Sequence, residues 1–285
     1  MLRRGEQSRM VFGMNNSQGK VRHILSLSGG KDSTALAIYM RNRVPDMEYV
    51  FCDTQKELPE TYEYLERLQA FLGKPINRLN ATRGFDHWLE VYGGYLPSSR
   101  MRWCTKMLKL KPFEAFVGDD PVLSYIAIRA DEGAREGYIS KKPNITAVYP
   151  FKEVGITEQD VYRILEESGL GLPKYYEWRT RSGCYFCFFQ RKAEWVGLME
   201  RHPEYFKLAK QYEKIDEANG IRYTWNERES LAELSQPARV AEIKRKHATE
   251  METERRASGG QRLYQILGTV LDDEDDDQPC LVCHL

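Results

Sequence analysis

The chain has 285 residues, 41% hydrophobic and 29% charged, with 42 basic and 42 acidic side chains in formal balance. That size and composition describe an ordinary globular protein with room for one large α/β domain and a smaller appendage. No apolar run reaches membrane-spanning length and residues 1–20 lack an apolar core, so no membrane partner, anchor or leader is expected and the reading is cytoplasmic. Zero net charge decides nothing about nucleic acid, because local patches outweigh the sum.

Apolar runs alternate with helical patterns through the first 190 residues, which predicts a parallel twisted sheet flanked by helices. Strands are expected at His23–Leu27, Glu48–Phe51, Ile76–Leu79, Leu123–Ile128 and Ala147–Tyr149. Asp32–Arg43 buries one stripe through Ala35, Leu36, Ile38 and Tyr39. Pro59–Leu72 starts on a first-turn proline and aligns Tyr62, Leu65, Leu68 and Leu72. Thr157 with Asp160 reads as a helix start, and Gly169 as its stop. Helices are then expected over Lys192–Met199, Pro203–Asn219 and Gln236–Arg256. The chain thus divides into an N-terminal extension (1–20), a nucleotide-binding α/β domain (21–190), a helical appendage (191–256) and a flexible tail (257–285). Six consecutive acids, Asp272–Asp277, keep that tail solvated.

Ser28-Gly29-Gly30-Lys31-Asp32-Ser33 follows the first strand directly and opens the first helix. Two glycines let the backbone approach a ligand, while two hydroxyls, a lysine and the amides of a helix N-terminus converge on one point. That arrangement suits phosphate, although its spacing is neither that of a Walker loop nor G-x-G-x-x-G. Cys52-Asp53-Thr54 ends the second strand, where ligands of open parallel sheets bind, so Asp53 is placed to meet a ribose hydroxyl, an adenine amine or Mg²⁺. Arg100, Arg102, Lys106, Lys109 and Lys111 surround Cys104 with no acid among them. This strip suits a phosphate-rich substrate and predicts a stabilised thiolate at Cys104. Arg129 ends the fourth strand beside Asp131, Glu132 and Arg135; the acids would hold Mg²⁺ or brace the arginines. Cys184 and Cys187 sit three apart after Gly183, a bidentate metal clamp, and Cys280 and Cys283 repeat the spacing near the end of the chain.

The loop Ser28–Ser33 resembles the PP-loop of ATP pyrophosphatases, which cleave ATP between its α and β phosphates. Asp53-Thr54-Gln55-Lys56-Glu57-Leu58-Pro59-Glu60-Thr61 resembles the D-T-G-x-x-x-P-E-T stretch of the phosphoadenylyl-sulfate (PAPS) reductase family, with Gln55 at the glycine position, which predicts an altered loop. Ile126–Arg135 and Arg179–Cys187 resemble two further segments of that family, in family order, so the resemblance covers about residues 20–190. It implies the adenine nucleotide alpha hydrolase-like (PP-loop) fold, ATP and Mg²⁺ as ligands, and nucleotide contacts from Ser28, Gly29, Gly30, Lys31, Asp32, Ser33, Asp53, Thr54 and Arg129. It also implies a [4Fe–4S] cluster on Cys104, Cys184 and Cys187, although Trp103 replaces the first of the family's paired cysteines. Zinc held by Cys184, Cys187, Cys280 and Cys283 is the alternative.

In the sulfonucleotide reductases of this family the phosphate loop is typically degenerate, whereas here it is intact, Lys31 included. The resemblance therefore points to the sulfurtransferase branch found in DNA phosphorothioation systems. Lys31, Asp32, Ser33, Cys104, Arg129 and Cys283 would serve catalysis, a cysteine desulfurase would donate sulfur and nucleic acid would accept it. The competing reading is a PAPS or adenylyl-sulfate reductase with Cys283 as nucleophile. A non-catalytic nucleic-acid-binding subunit would use the basic helix around Lys244-Arg245-Lys246, but Glu242, Glu250, Glu252 and Glu254 interleave and favour a solvated face.

Overall fold

The computed structural model describes residues 20–257 apart from 134, 136–139 and 227. Residues 1–19, the acidic run, Cys280 and Cys283 lie outside the described residues, as does nearly all of the expected tail. In chain order the elements are β1 (Arg22–Leu27), α1 (Lys31–Met40), β2 (Met47–Asp53), α2 (Pro59–Leu72), β3 (Ile76–Asn80) and α3 (Phe85–Val91). A helical run follows: α4 (Trp103–Thr105), a π-helical turn (Lys106–Leu110) and α5 (Lys111–Val117). Then come β4 (Val122–Tyr125), β5 (Ile145–Val148), α6 (Pro150–Val154) and α7 (Glu158–Glu167). The remainder is α8 (Lys192–Arg201), α9 (Pro203–Tyr212), β6 (Lys214–Asp216), β7 (Ile221–Tyr223), α10 (Leu231–Leu234) and α11 (Pro237–Ala257).

Five strands form one sheet in the order β3-β2-β1-β4-β5, and every neighbouring pair is parallel. The expected strands are all present, in parallel pairing. The order reverses between β1 and β4, and the crevice beyond the carboxyl ends of those two strands is where such sheets bind ligands. Both Ser28 and Arg129 issue from that point. β4 is shorter than expected: Ile126–Ile128 stay buried but leave the regular ladder, because β1 has already ended at Leu27 to form the loop.

One face of the sheet packs Leu25, Leu27 and Phe51 against α1, α2 and α7, through Leu36, Leu65, Leu68, Val161 and Leu165. The other face buries Ile24, Val50 and Cys52 against Phe113 and Val117 of α5. α7 begins as expected, with the Thr157 amide and hydroxyl both donating to Asp160 Oδ2 (2.9 and 2.8 Å).

A separate cluster rich in aromatics joins Phe85, Trp103, Tyr185 and Phe186 to Trp195, Phe206, Trp225, Leu231 and Ile243. It welds α8 to α11 onto the segments that carry the cysteines. One expected helix is corrected here: Pro203–Asn219 is helical only to Tyr212. Glu213 turns extended, and its carboxylate accepts hydrogen bonds from the amides of Trp225 (3.1 Å) and Leu231 (2.8 Å). β6 and β7 then form an antiparallel hairpin closed at Asn219-Gly220, where Gly220 takes φ +66°. Among the described residues, no helix is long and apolar enough to cross a membrane.

Candidate functional site

The turn between β1 and α1 is locked from two sides. Gly29 has φ +75°, and its carbonyl accepts from the Tyr175 hydroxyl (2.8 Å). A Cβ at Gly29 would stand 2.7 Å from Thr61 Cγ2, and one at Gly30 would stand 2.8 Å from Ser182 Oγ. Both glycines are therefore required by neighbouring parts of the chain, α2 and the segment before Cys184. Hydroxyls gather over the turn: Ser28 Oγ lies 3.1 Å from Ser33 Oγ and accepts from Ser182 Oγ at 3.0 Å. The Lys31 amide donates to the Tyr176 hydroxyl (3.1 Å).

Charge in this part of the site is dense and matched. Lys31, Asp32 and Arg129 are all buried. Lys31 Nζ lies 3.2 Å from Glu158 Oε1 and 3.6 Å from Asp32 Oδ2. The Arg129 guanidinium donates to Asp32 Oδ1 (3.0 Å) and to Asp131 Oδ1 (2.9 Å). Burial alone would lower the Lys31 pKa; Asp32, Tyr176 and Glu158 outweigh it, and the ammonium stays firmly charged. Burial also opposes the Arg129 charge, and Asp32, Glu132 and Glu158 more than offset it. Of the two expected roles for Asp131 and Glu132, they take bracing: Glu132 accepts from the Arg129 amide (2.9 Å) and pairs with Arg135. Asp32 and Glu158 flank Lys31, and a nucleotide-bound Mg²⁺ requires only one or two carboxylates besides its phosphates and waters.

Asp53 closes the end of β2, its Oδ1 accepting from the Gln55 amide and the Tyr62 hydroxyl, both at 2.8 Å. Gln55 adopts φ +59°, the conformation a glycine takes freely. Thr54 points away from the phosphate loop. Its hydroxyl donates to Glu57 Oε1 (2.9 Å) and lies 3.1 Å from Cys184 Sγ.

Thr54 thus belongs to a second, cysteine-bearing pocket. Cys184, Glu57 and Lys109 meet there, with Cys104 and Cys187 close enough to act on the same charges. Glu57 is buried, and its Oε2 has no hydrogen-bond partner. Burial pushes its carboxyl up, against the pull of Lys109. Burial would lower Lys109 in turn, but Glu57 and then Cys184 outweigh it and keep the ammonium charged. The expected thiolate at Cys104 is not favoured: burial, then Cys187, pushes its thiol up to about 11, and Lys109 offsets only part of this. The cationic strip is largely turned outward, with Lys106 exposed, so its charge is spent on water. Burial likewise raises Cys184. Cys52 faces the other way, its thiol donating to the Lys109 carbonyl (3.5 Å) and raised to about 11 by burial.

Among the described residues, no three His, Cys, Asp or Glu side chains converge closely enough to chelate one ion. A single tetrahedral zinc needs its sulfurs about 3.8 Å apart. Cys187 nevertheless lies close enough to help push up the thiols of both Cys104 and Cys184, after burial in each case. Buried thiols of raised pKa are converted to metal ligands only by a metal's charge. The chain's route to this pocket is unusual: Lys106–Leu110 is a π-helical turn between α4 and α5. Such turns insert one extra residue into a helix and concentrate at functional sites.

The structure therefore brings Ser28, Gly29, Gly30, Lys31, Asp32, Ser33 and Arg129 together, and groups Cys104, Cys184 and Cys187 with Thr54. Cys283 lies outside the described residues. Sequence reasoning missed Glu158, Tyr175, Tyr176, Ser182 and Glu57. Glu158 was legible only as a first-turn acid; Tyr175 and Tyr176 occupy a 3₁₀ turn with no helical or strand period to mark them.

Comparison with known proteins agrees with this geometry. A 28% identical stretch of 210 residues relates the chain to an uncharacterized protein of Methanocaldococcus jannaschii, covering 67% of this chain and 41% of that protein. A second uncharacterized protein of that organism is 23% identical over 240 residues, 78% of this chain and 55% of the other. The chain thus spans about half the length of these curated relatives. A nin region protein of Escherichia phage lambda is 28% identical over 217 residues, 64% of this chain and 70% of its own length. Among solved structures, the phosphate complex of PAPS reductase from Candida auris aligns with a TM-score of 0.46 at 13% identity, over 58% of this chain and 82% of that one. The U34-tRNA thiolase NcsA from Methanococcus maripaludis, with its [4Fe-4S] cluster, aligns at 0.41 and 13% over 76% and 80%. These likenesses are loose, and the fold rests on the strand order itself. The phosphoadenosine phosphosulfate reductase domain model matches residues 22–189, from the first strand through both candidate pockets. The chain is a PP-loop protein and belongs to the phosphoadenosine phosphosulfate reductase domain family.

Proposed function

We propose that this protein is an ATP pyrophosphatase that activates an acceptor, a nucleic acid as in DNA phosphorothioate modification, for sulfur transfer. The observation that carries this reading is the buried Lys31, held between Asp32 and Glu158 where the strand order reverses. A buried cation framed by carboxylates, hydroxyls and Arg129 is a preorganised site for a polyphosphate with its Mg²⁺. A sulfonucleotide has no such chain to cleave.

In the proposed reaction the phosphates lie on Ser28–Ser33. An acceptor oxygen attacks the α-phosphorus, the α–β anhydride breaks, and Lys31 neutralises charge growing on the departing pyrophosphate. Desulfurase sulfur arrives at the persulfide level, so an external dithiol reductant supplies two electrons and frees it as hydrosulfide at the cysteine pocket. The hydrosulfide attacks the activated acceptor atom, that atom's bond to the adenylylated oxygen breaks, and the oxygen leaves on AMP. Cys104, Cys184 and Cys187 would hold a [4Fe–4S] cluster, which would supply a sulfur-binding iron; a cysteine desulfurase is the proposed donor. Asp32 and Glu158 would hold Mg²⁺, which would screen the phosphates.

Lys31→Ala tests the reading. Pyrophosphate release from ATP should fall at least about a hundredfold while the thermal melt shows a folded protein; unchanged turnover would overturn the assignment. Iron, zinc and sulfide analysis of anaerobically purified protein checks the metal. The family match favours one second reading, sulfonucleotide reduction. Sulfite release from PAPS or adenylyl sulfate with thioredoxin, without pyrophosphate release from ATP, would establish that instead.

A further inference from the structure

We propose that Arg102 and Arg181 form a clamp for a phosphodiester of the nucleic-acid acceptor, at the border between the phosphate loop and the cysteine pocket. This deepens the sulfur-transfer reading and rests on it. The two guanidinium groups converge on one buried ring: Arg102 Cζ lies 5.1 Å and Arg181 Cζ 5.4 Å from the centroid of Phe189. Both arginines are half-buried, and among the described residues no carboxylate meets either one. The Arg102 Nε–H is spent on the Ser99 carbonyl (3.1 Å), which leaves the rest of its fork available.

Two like charges gathered on one partly desolvated ring are costly without a counter-charge. Several other cations in this chain meet carboxylates. Arg129 meets Asp32 and Asp131, and Arg239 meets Glu229 and Glu242. On α11, the basic stretch that sequence alone offered for nucleic acid, Lys244 pairs with Glu200 and Lys246 with Glu250. Among the described residues Arg102 and Arg181 at the Phe189 shelf form no ion pair; buried Arg179 also lacks one, but its guanidinium is spent on the Gly183 and Cys184 carbonyls. Exposed Arg100 and Lys106 continue the shelf outward, again with no ion pair among the described residues.

Position identifies what the shelf would hold. Arg181 immediately precedes Ser182, whose hydroxyl reaches Ser28 of the phosphate loop at 3.0 Å. Arg102 caps the helical run that carries Cys104, and Phe189 lies two residues beyond Cys187. An anion bound there sits between the place where ATP would be opened and the thiols that would deliver sulfur. Guanidinium forks match phosphate oxygens bidentately, and a polyanion engages the outlying cations as well, which favours a nucleic-acid backbone over a small anion.

The test is fluorescence-anisotropy titration of the full chain with labelled duplex DNA, single-stranded DNA and RNA of one sequence, across a salt series and without ATP. Each of Arg102→Ala and Arg181→Ala should weaken binding about tenfold and lower the slope of log affinity against log salt by about one. Arg102→Lys and Arg181→Lys should keep the slope yet recover only part of the affinity, which separates a phosphate contact from damage to the fold. Lys244→Ala, on α11, should leave both quantities unchanged. Three results would overturn the clamp: no binding of any oligonucleotide by the wild type, affinity lost with an unaltered slope, or displacement of the oligonucleotide by inorganic phosphate at equal concentration. The preferred arm identifies DNA or RNA as the acceptor. Because no ATP is present, this outcome is independent of whether Lys31 supports pyrophosphate release, so the two readings fail separately.

Discussion

The phosphate loop and the cysteine pocket lie a few residues apart, yet they balance charge in opposite ways. Around Lys31 and Arg129 every buried cation already meets a carboxylate, and the pKa values move to strengthen those charges. In the cysteine pocket the thiols of Cys184 and Cys104 are held neutral by burial, Glu57 is pushed up, and Lys109 is the counter-charge for several groups at once. The first is organised before any ligand arrives, its charges already paired within the chain. The second becomes favourable in its ionised form only when more positive charge enters it. Charges already paired and thiols held neutral stand side by side in one fold.

The largest expected effect would break this contrast outright. Cys184→Ser should abolish iron and sulfide binding, read by visible absorption and elemental analysis, while affinity for a non-hydrolysable ATP analogue stays within about threefold. Equal loss of both would make the two pockets one unit. On the phosphate side, Arg129→Leu leaves Asp32 buried without its guanidinium and should cost about 3–5 kcal/mol in urea melts; adding Asp32→Asn should recover much of that. Gly29→Ala forces a side chain into φ +75° and against Thr61, and should cost about 2–3 kcal/mol. Thr61→Ser in that background should return the part due to the clash and leave the part due to φ.

A weaker effect comes from a place distant from both pockets. Glu229 is held down to about 2, by its hydrogen bond from Arg239 first and then by Lys192 against the cost of burial. A depressed carboxyl adds stability that is complete above its unfolded value, 4.5, and disappears as pH falls toward about 2. Melting temperature should therefore drop between those values, and less so in Glu229→Gln. The smallest effect is of opposite sign: Gln55→Gly should stabilise by up to about 1 kcal/mol by relieving φ +59°.

The sheet was readable because its strands are short apolar runs between glycine turns and amphipathic helices, and Pro59–Leu72 matches to the residue. The phosphate loop was readable because six adjacent residues carry it. The partners that tune it were not: Glu158, Tyr176 and Ser182 arrive from more than a hundred residues away, and nothing local marks them. Glu57 was hidden inside a stretch where only its neighbours attracted notice. The overlong helix at Pro203–Asn219 arose from reading helical propensity past Tyr212, although Asn219-Gly220 is a hairpin signal. Cys104 failed for a different reason. Cations adjacent in sequence do not lower a thiol's pKa when they point into water and the thiol does not.

The π-helical turn at Lys106–Leu110 carries an evolutionary corollary. A helix that has gained one residue has rotated everything after it by about 100° relative to everything before it. Single-residue deletion within 106–110 should rewind that stretch to ordinary α pitch and swing the Lys109 ammonium out of register with Glu57. Descendants that shed this residue would keep the scaffold and the Ser28–Ser33 loop while losing the cationic member of the cysteine pocket, a one-codon path to another use of the same frame.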